Sequence, residues 1–246
     1  MNLLLRIATA CVGIAGFHGA ALASIRVQPM SYDLGASGAE TKQDVRVENT
    51  SDQPMPVDII VQRREILPDG TERRTPAEDD FLIFPPQAIV PANSFQTFRV
   101  QYIGDPLLAQ TKLFLITVSQ LPVNTSETAA NGMQFLFNVG TLAAVSPRDA
   151  VAHVQVVSVR PAEKTGLLQV TVRNDGNRYA RLRNGIWTVR GGDGTEVVLD
   201  DRTIRSAIQQ GLIEPGTERI ITLPVEPSFR RDGASVTFKP REIGAE

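Results

Sequence analysis

From Ile25 onward, short runs rich in Val, Ile, Phe and Thr alternate with turn clusters of Pro, Gly, Asn and Asp, and a helical period is almost absent. The pattern predicts an all-β protein. Ile25 to Leu34 opens the series with Pro29 in its middle; proline cannot donate to a ladder, so this segment is an edge strand or one that switches sheets. Val45 and Val47 alternate with Asp44, Arg46 and Glu48, and Asn49-Thr50-Ser51-Asp52 then turns the chain into Val57 to Val61, a half-buried antiparallel pair. Asp69-Gly70 marks the next turn, Phe81 to Phe84 runs into Pro85-Pro86, and Phe98, Val100 and Tyr102 alternate with Thr97, Arg99 and Gln101. Leu113 to Leu121 and Gly132 to Val139 flank the polar loop Asn124 to Asn131 and should close an antiparallel hairpin, making about seven strands before Pro147.

The same grammar restarts after Pro147-Arg148-Asp149. Val151 to Val159, Leu167 to Val172, Ala180 to Val189, Glu196 to Leu199, Arg219 to Val225 and Val236 to Lys239 read as strands, so a second β-sandwich is the economical expectation. Only Ile204 to Gln210 looks helical, and it is short enough for one turn or an edge strand. The organisation expected is a first domain over 24–147 and a second over 148–246.

The hairpin carries an unusual stripe. Met133, Phe135, Phe137 and Val139 share one side of an extended strand, with Gln134, Leu136 and Asn138 on the other. Four large apolar side chains in a row demand a partner: they fill their own domain's core, or they are lent to another protein.

Ahead of the first strand, Arg6 precedes an apolar run from Ile7 to Phe17, and small residues end in Ala21-Leu22-Ala23 before Ser24. Residues 1–23 read as a cleaved secretory signal, because the run is shorter than the roughly 20 apolar residues that cross a bilayer. Cys11 lacks the leucine-led box of a lipidated cysteine. Cleavage would leave no cysteine and no membrane insertion, so stability must come from the core alone.

Composition removes several functions. Lys plus Arg total 25 against 27 Asp plus Glu, and no basic run exceeds a pair, so nucleic acid is not an expected partner. After the signal the only histidine is His153, so a Cys/His site, metal-binding or catalytic, is impossible and a serine triad would rest on His153 alone. Glu78-Asp79-Asp80 and Asp200-Asp201 are neighbours on an extended chain, pointing to opposite faces, and read as solvated turns. Gly191-Gly192-Asp193-Gly194 is followed by a strand pattern and not a helix, so it is a hairpin turn and not a phosphate cradle. Neither catalysis, a cofactor nor a metal is expected.

Several motifs together resemble the periplasmic chaperones of bacterial pilus (fimbrial) assembly, the chaperone/usher pathway. They are VRVENTSDQPMPVDIIVQ from Val45 to Gln62, with its V-x-N-x-x-x-x-P strand and turn; Phe84-Pro85-Pro86; VPANSFQTFRVQY from Val90 to Tyr102; and LFLITVSQLPV from Leu113 to Val123. The resemblance implies two immunoglobulin-like β-sandwich domains in a boomerang arrangement, a periplasmic location, and a non-enzymatic chaperone that binds pilus subunits and delivers them to an outer-membrane usher. Carried onto this chain, it implies that Met133 to Val139 is a donor strand completing the subunit's sandwich, with Met133, Phe135 and Phe137, and also Val139, as inserted side chains. Leu113, Leu115 and the Leu136 face are then expected in the chaperone's own interior.

One departure stands out. The best-known branch anchors the subunit's terminal carboxylate with an arginine in the first strand and a lysine in the last strand of domain one; the matching positions here fall near Met30 or Ser31 and at Leu142. The chain therefore resembles more closely the divergent archaic, or spore-coat-like, branch. Lys112, Arg99 and Arg148 are the candidate anchors, with ordinary surface ion pairing as the alternative for each. An unoccupied donor strand should also pair with itself across a two-fold axis. The competing reading is a secreted two-domain adhesin or surface binding module whose stripe is ordinary core.

Overall fold

The computed structural model describes residues 25–122 and 136–241. The first sandwich comprises β1 (Ile25–Gln28), β2 (Ser31–Gly35), β3 (Lys42–Asn49), β4 (Met55–Ile66), β5 (Glu72–Pro76), β6 (Phe81–Phe84), β7 (Gln87–Val90), β8 (Ser94–Tyr102), β9 (Lys112–Gln120) and β10 (Asn138–Ser146). One sheet runs β1-β3-β8-β6 and the other β2-β10-β9-β4-β5, with β7 also on β4. Pro29 sits between β1 and β2, so the opening segment does switch sheets: β1 pairs antiparallel with β3, and β2 pairs parallel with β10.

The two-residue period of each strand builds the core. Val45, Val47, Phe98 and Val100 of one sheet meet Phe114, Ile116 and Val118 of β9, together with Ala143 and Val145 of β10. Phe81 stacks edge-on against Phe114 at 4.9 Å between ring centroids, within the range that adds to plain burial. Asn49 explains the turn after β3. It is fully buried; its amide donates to the carbonyls of Gln53 (2.7 Å) and Val90 (3.1 Å), and its Oδ1 accepts from the backbone and hydroxyl of Ser51. One side chain thus satisfies backbone groups from two turns, which hydrophobic burial alone would leave stranded. Asn174 does the same in the second sandwich, donating to Arg178 O and accepting from His153 and Gly176 N–H.

The second sandwich comprises β11 (Val154–Pro161), β12 (Leu167–Asn174), β13 (Ala180–Arg181), β14 (Gly185–Arg190), β15 (Glu196–Val198), a helix α1 (Asp201–Ala207), β16 (Leu212–Ile213), β17 (Glu218–Pro224) and β18 (Ser235–Pro240). Its sheets run β11-β12-β17 and β15-β14-β18, with β13 and β16 as a separate pair. Trp187 lies at its centre, fully buried, its indole N–H donating to Leu182 O at 2.8 Å. The segment with the helical look is α1, started earlier than expected because Asp200 caps it, accepting from the N–H groups of Arg202 and Thr203. Gly191 to Gly194 is the hairpin turn between β14 and β15.

The last strand of domain one is longer than its apolar run. The chain pairs with β9 as far as Val145 and with β2 as far as Ser146, through Gly140, paired to β9 alone, and through Ala143 and Ala144, residues of low strand propensity held by pairing on both sides. Leu136 is a correction: it is 44% exposed. Val139, Thr141, Ala143 and Val145 take the inward positions of β10, so the even-numbered residues face outward. Leu113 is buried but faces the second domain, and Leu115 is half-buried on that outer face.

Replacing Phe114 with Ala removes a ring packed between both sheets and should cost about 3–5 kcal/mol of stability, read as a lower urea midpoint at unchanged slope.

Candidate functional site

The site follows from how far β2 reaches. β10 is paired to β9 from Asn138 to Val145, but β2 covers its other side only from Leu142 to Ser146. Leu142 N–H donates to Met30 O at 2.9 Å, so the N–H and C=O groups of even-numbered residues face the β2 side. By that alternation Asn138 and Gly140 present main-chain groups to an edge that nothing among the described residues pairs. Phe137 still belongs to the β9 pairing: its carbonyl accepts from Gln120 N–H at 2.9 Å.

The stripe falls on the inward side of this strand. Val139 is half-buried and packs against the first core, and Phe137 continues the same face, half-exposed. Met133 and Phe135 lie outside the described residues. Val139 is therefore partly committed to the domain's own interior.

The open edge ends at the seam between the two sandwiches. Ile66, Leu113, Leu142 and Ala144 of the first domain pack on Tyr179 and Leu212 of the second. Around this apolar contact lie charged groups from both sides. Glu214 accepts from Arg63 Nη2 at 2.5 Å and from Ile66 N–H at 2.9 Å, and Arg63 also donates to Leu113 O. Arg64 reaches Glu72 on its own hairpin and Gln210 across the seam. Burial opposes the charge on Glu72, but hydrogen bonds from Arg64 and Arg74 outweigh it and hold the carboxyl below its ordinary range.

The β4–β5 hairpin extends this contact. Ile220 N–H donates to Pro68 O at 2.8 Å, and Gly70, at φ +92°, leaves room where a Cβ would lie 2.9 Å from Arg219 Nη2. Arg219 is buried, donates to Leu212 O at 2.7 Å, and is pushed below its ordinary pKa by burial, with Asp69 opposing the shift. On the β2 side, Arg178 pairs with Asp33 at 3.3 Å, while Arg181 donates to Ser31 Oγ at 2.7 Å and to Tyr179 OH at 3.1 Å. Burial, reinforced by Asp33, raises the Tyr179 phenol above its ordinary value.

The three cations expected as anchors separate. Arg99 is a correction: it lies on β8 in the other sheet, opposite Phe84 of β6, and a carboxylate already holds it, Asp44 at 2.9 and 3.2 Å. Lys112 opens β9 opposite Val145, and Arg148 lines a groove of about 820 Å³ at the hinge with Asp33, Lys42 and Arg178. Arg181, Glu214 and Arg219 were not foreseen. Each lies in the second half of the chain, and only the fold brings it to the first. His153 precedes β11, with its ring Nδ1 3.3 Å from Gln155 Nε2 on the surface.

Two β-sandwiches in tandem, with a half-paired strand ending at the seam between them, define the class: a two-domain β-sandwich protein of the kind found in fimbrial chaperones. CfaA, the class 5 fimbriae chaperone, superposes with a TM-score of 0.59 at 13% identity, over 91% of this chain and 95% of that one. The SafB chaperone of Salmonella enterica, in complex with the SafA pilin, gives 0.52 at 17% identity over 82% and 84%. CsuC of Acinetobacter baumannii, from archaic chaperone-usher pili and bound to the tip subunit CsuE, gives 0.51 at 12% identity over 80% and 89%. At these identities the likeness is one of fold. No curated protein matches the chain in sequence. Residues 27–147 match the model of the pili and flagellar-assembly chaperone, PapD N-terminal domain, so the chain carries a first domain of that family. It is a chaperone of pilus assembly.

Truncating Glu214 to Ala leaves the Arg63 guanidinium and Ile66 N–H without their acceptor and should cost about 2–5 kcal/mol in chemical unfolding; Glu214→Gln, which keeps an acceptor for Ile66, should lose less.

Proposed function

We propose that the chain is exported to the periplasm, loses residues 1–23, and captures pilus subunits by lending them Met133 to Val139 as a strand, before an outer-membrane usher takes the complex. The observation that carries this reading is the open edge of β10 from Asn138 to Thr141, continuous with a stripe whose described members face inward. A subunit strand added there receives main-chain hydrogen bonds from Asn138 and Gly140. Its own interior becomes continuous with the chaperone's, filled by Met133, Phe135 and Phe137, with Val139 at the junction. Three such side chains supply about 5 to 9 kcal/mol before ordering costs, enough to drive capture.

The protein acts by binding and not by covalent chemistry. Ser31 and Leu142, where the best-known branch carries its cationic pair, face each other across β2 and β10 as neutral residues. This supports placement in the archaic branch, with a basic group at the seam holding the subunit's terminal carboxylate. Lys112 and Arg148 remain on the seam side of the domain and Arg99 does not.

The test is co-expression of the mature chain with exported subunits encoded near it, followed by affinity purification. The expected result is a stoichiometric complex with a small β-protein that is unstable alone. Phe137→Asp, paired with Phe135→Asp, should abolish the complex while leaving the melting profile within about 1 kcal/mol of wild type; Phe114→Asp should unfold the domain. A folded protein that brings down no subunit, or loss of folding with Phe137→Asp, would favour the surface-module reading.

Without a subunit, the open edge should pair with that of a second copy. Sedimentation at rising concentration should show a dimer that Phe137→Asp abolishes.

A further inference from the structure

The second sandwich has an open side of its own. β15 closes one of its sheets with only three residues, and nothing among the described residues pairs the outer edge of that strand. Gly191 N–H donates to Thr195 O and Leu199 N–H donates to Trp187 O. By the antiparallel alternation Val197 then spends its main-chain groups on β14, while Glu196 and Val198 turn theirs outward.

The side chains show the same incompleteness. Val197 lies opposite the fully buried Val189 and points inward with it, yet Val197 is 38% exposed. Beneath it is a groove of about 360 Å³ between β15 and the end of β17, walled by Val197, Leu199, Pro224, Val225 and Phe229. It has room for one large apolar side chain. The groove sits at Pro224, five residues along β17 from Arg219 at the seam and about 17 Å away, clear of the contact between the two domains.

The mouth of the groove is acidic. Asp200 and Glu226 line it, Glu196 stands on the adjoining edge, and no lysine or arginine is among its lining residues. Hydrogen bonds from the Thr203 backbone and hydroxyl hold the Asp200 carboxyl below its ordinary range, so the charge persists while Asp200 caps α1. Shortness and Glu196 guard this edge against bare apolar strands. They also select what can add to it. Two residues with outward main-chain groups cannot hold a long strand, but they can align a short extended segment. One apolar side chain of that segment enters the groove, and basic neighbours on either side of it meet Glu196, Asp200 and Glu226.

We infer that the β15 edge and the groove beside it form a docking site on the second domain for a short extended segment of a partner protein, one that alternates apolar with basic residues. The inference stands apart from the donor-strand reading, since it uses the other domain and another edge. The second domain thereby holds a protein partner through charge and a single anchoring side chain, at a site separate from the open edge of β10.

The test uses the mature chain and an acetylated, amidated pentapeptide that alternates lysine and leucine. In NMR titrations this probe should shift the Val198 amide and the Phe229 ring signals saturably. The matching glutamate and leucine peptide should bind at least tenfold more weakly, and so should a lysine and serine peptide that has nothing to place in the groove. N-methylation of one alternate set of residues in the first probe should abolish binding and N-methylation of the other set should not, because only one set points its N–H groups at β15. Glu196→Lys combined with Glu226→Lys, both at exposed positions, should reverse the preference in favour of the glutamate and leucine peptide; an unchanged melting profile excludes a folding defect.

Equal binding of the lysine and glutamate peptides, or no reversal in the double variant, overturns the charge selection. Equal effects of N-methylation at both sets overturn pairing with the edge, and equal binding of the serine peptide overturns the groove. A peptide of residues 132–139 of this chain serves as a third probe: if it displaces the lysine and leucine peptide, the occupant is the lent strand of a second copy and the basic partner inferred here is wrong.

Discussion

The crossing of the chain from one sheet to the other at Pro29 governs the rest of the molecule. Because β1 pairs with β3 and β2 with β10, one short segment stitches the two layers of the first sandwich together. The same crossing fixes where β2 begins, and so how much of β10 is left unpaired. A start three or four residues earlier along β10 would close the edge and leave an ordinary sandwich. Proline suits the junction because the missing N–H falls where neither ladder needs a donor.

Exposed sheet edges are usually blunted by charge, proline or bulges, and this protein shows such measures elsewhere. β5 ends at Pro76 and carries Arg73 and Arg74, each balanced by a glutamate, while β11 is broken by an irregularity between Val156 and Ser158. The open half of β10 has no such protection. Its outward groups are Asn138 and Gly140, small and uncharged, and its inward face is apolar. An edge left bare on one strand and guarded on others is a surface shaped for occupancy.

Much of the architecture was legible along the chain, for local physical reasons. Alternation in β3 and β8 marked the inward residues, and the Asn49 turn and the break at Pro29 announced themselves because proline and asparagine act through their own backbone neighbourhoods. What stayed hidden depends on distance. Leu113 reads as sandwich core by its hydrophobicity, yet the period places it on the outer face, buried by Tyr179 and Leu212, which lie 66 and 99 positions further along the chain. Arg181 and Glu214 look like surface charges until the fold sets them against Ser31 and Arg63. The small residues Gly140, Ala143 and Ala144 concealed the rest of β10, whose strand conformation comes from pairing, with β9 up to Val145 and with β2 from Leu142 on, and not from its own propensity.

The β4–β5 hairpin belongs by sequence to the first sandwich, but Pro68 accepts from Ile220 and Gly70 makes room for Arg219. Tyr179 and Leu212 likewise lose their apolar cover if the first domain opens. Melting either half exposes buried groups of the other, including the Arg219 guanidinium, so the two sandwiches behave as one cooperative foldon and not as beads on a string. A mutation deep in one domain is therefore felt as instability in both.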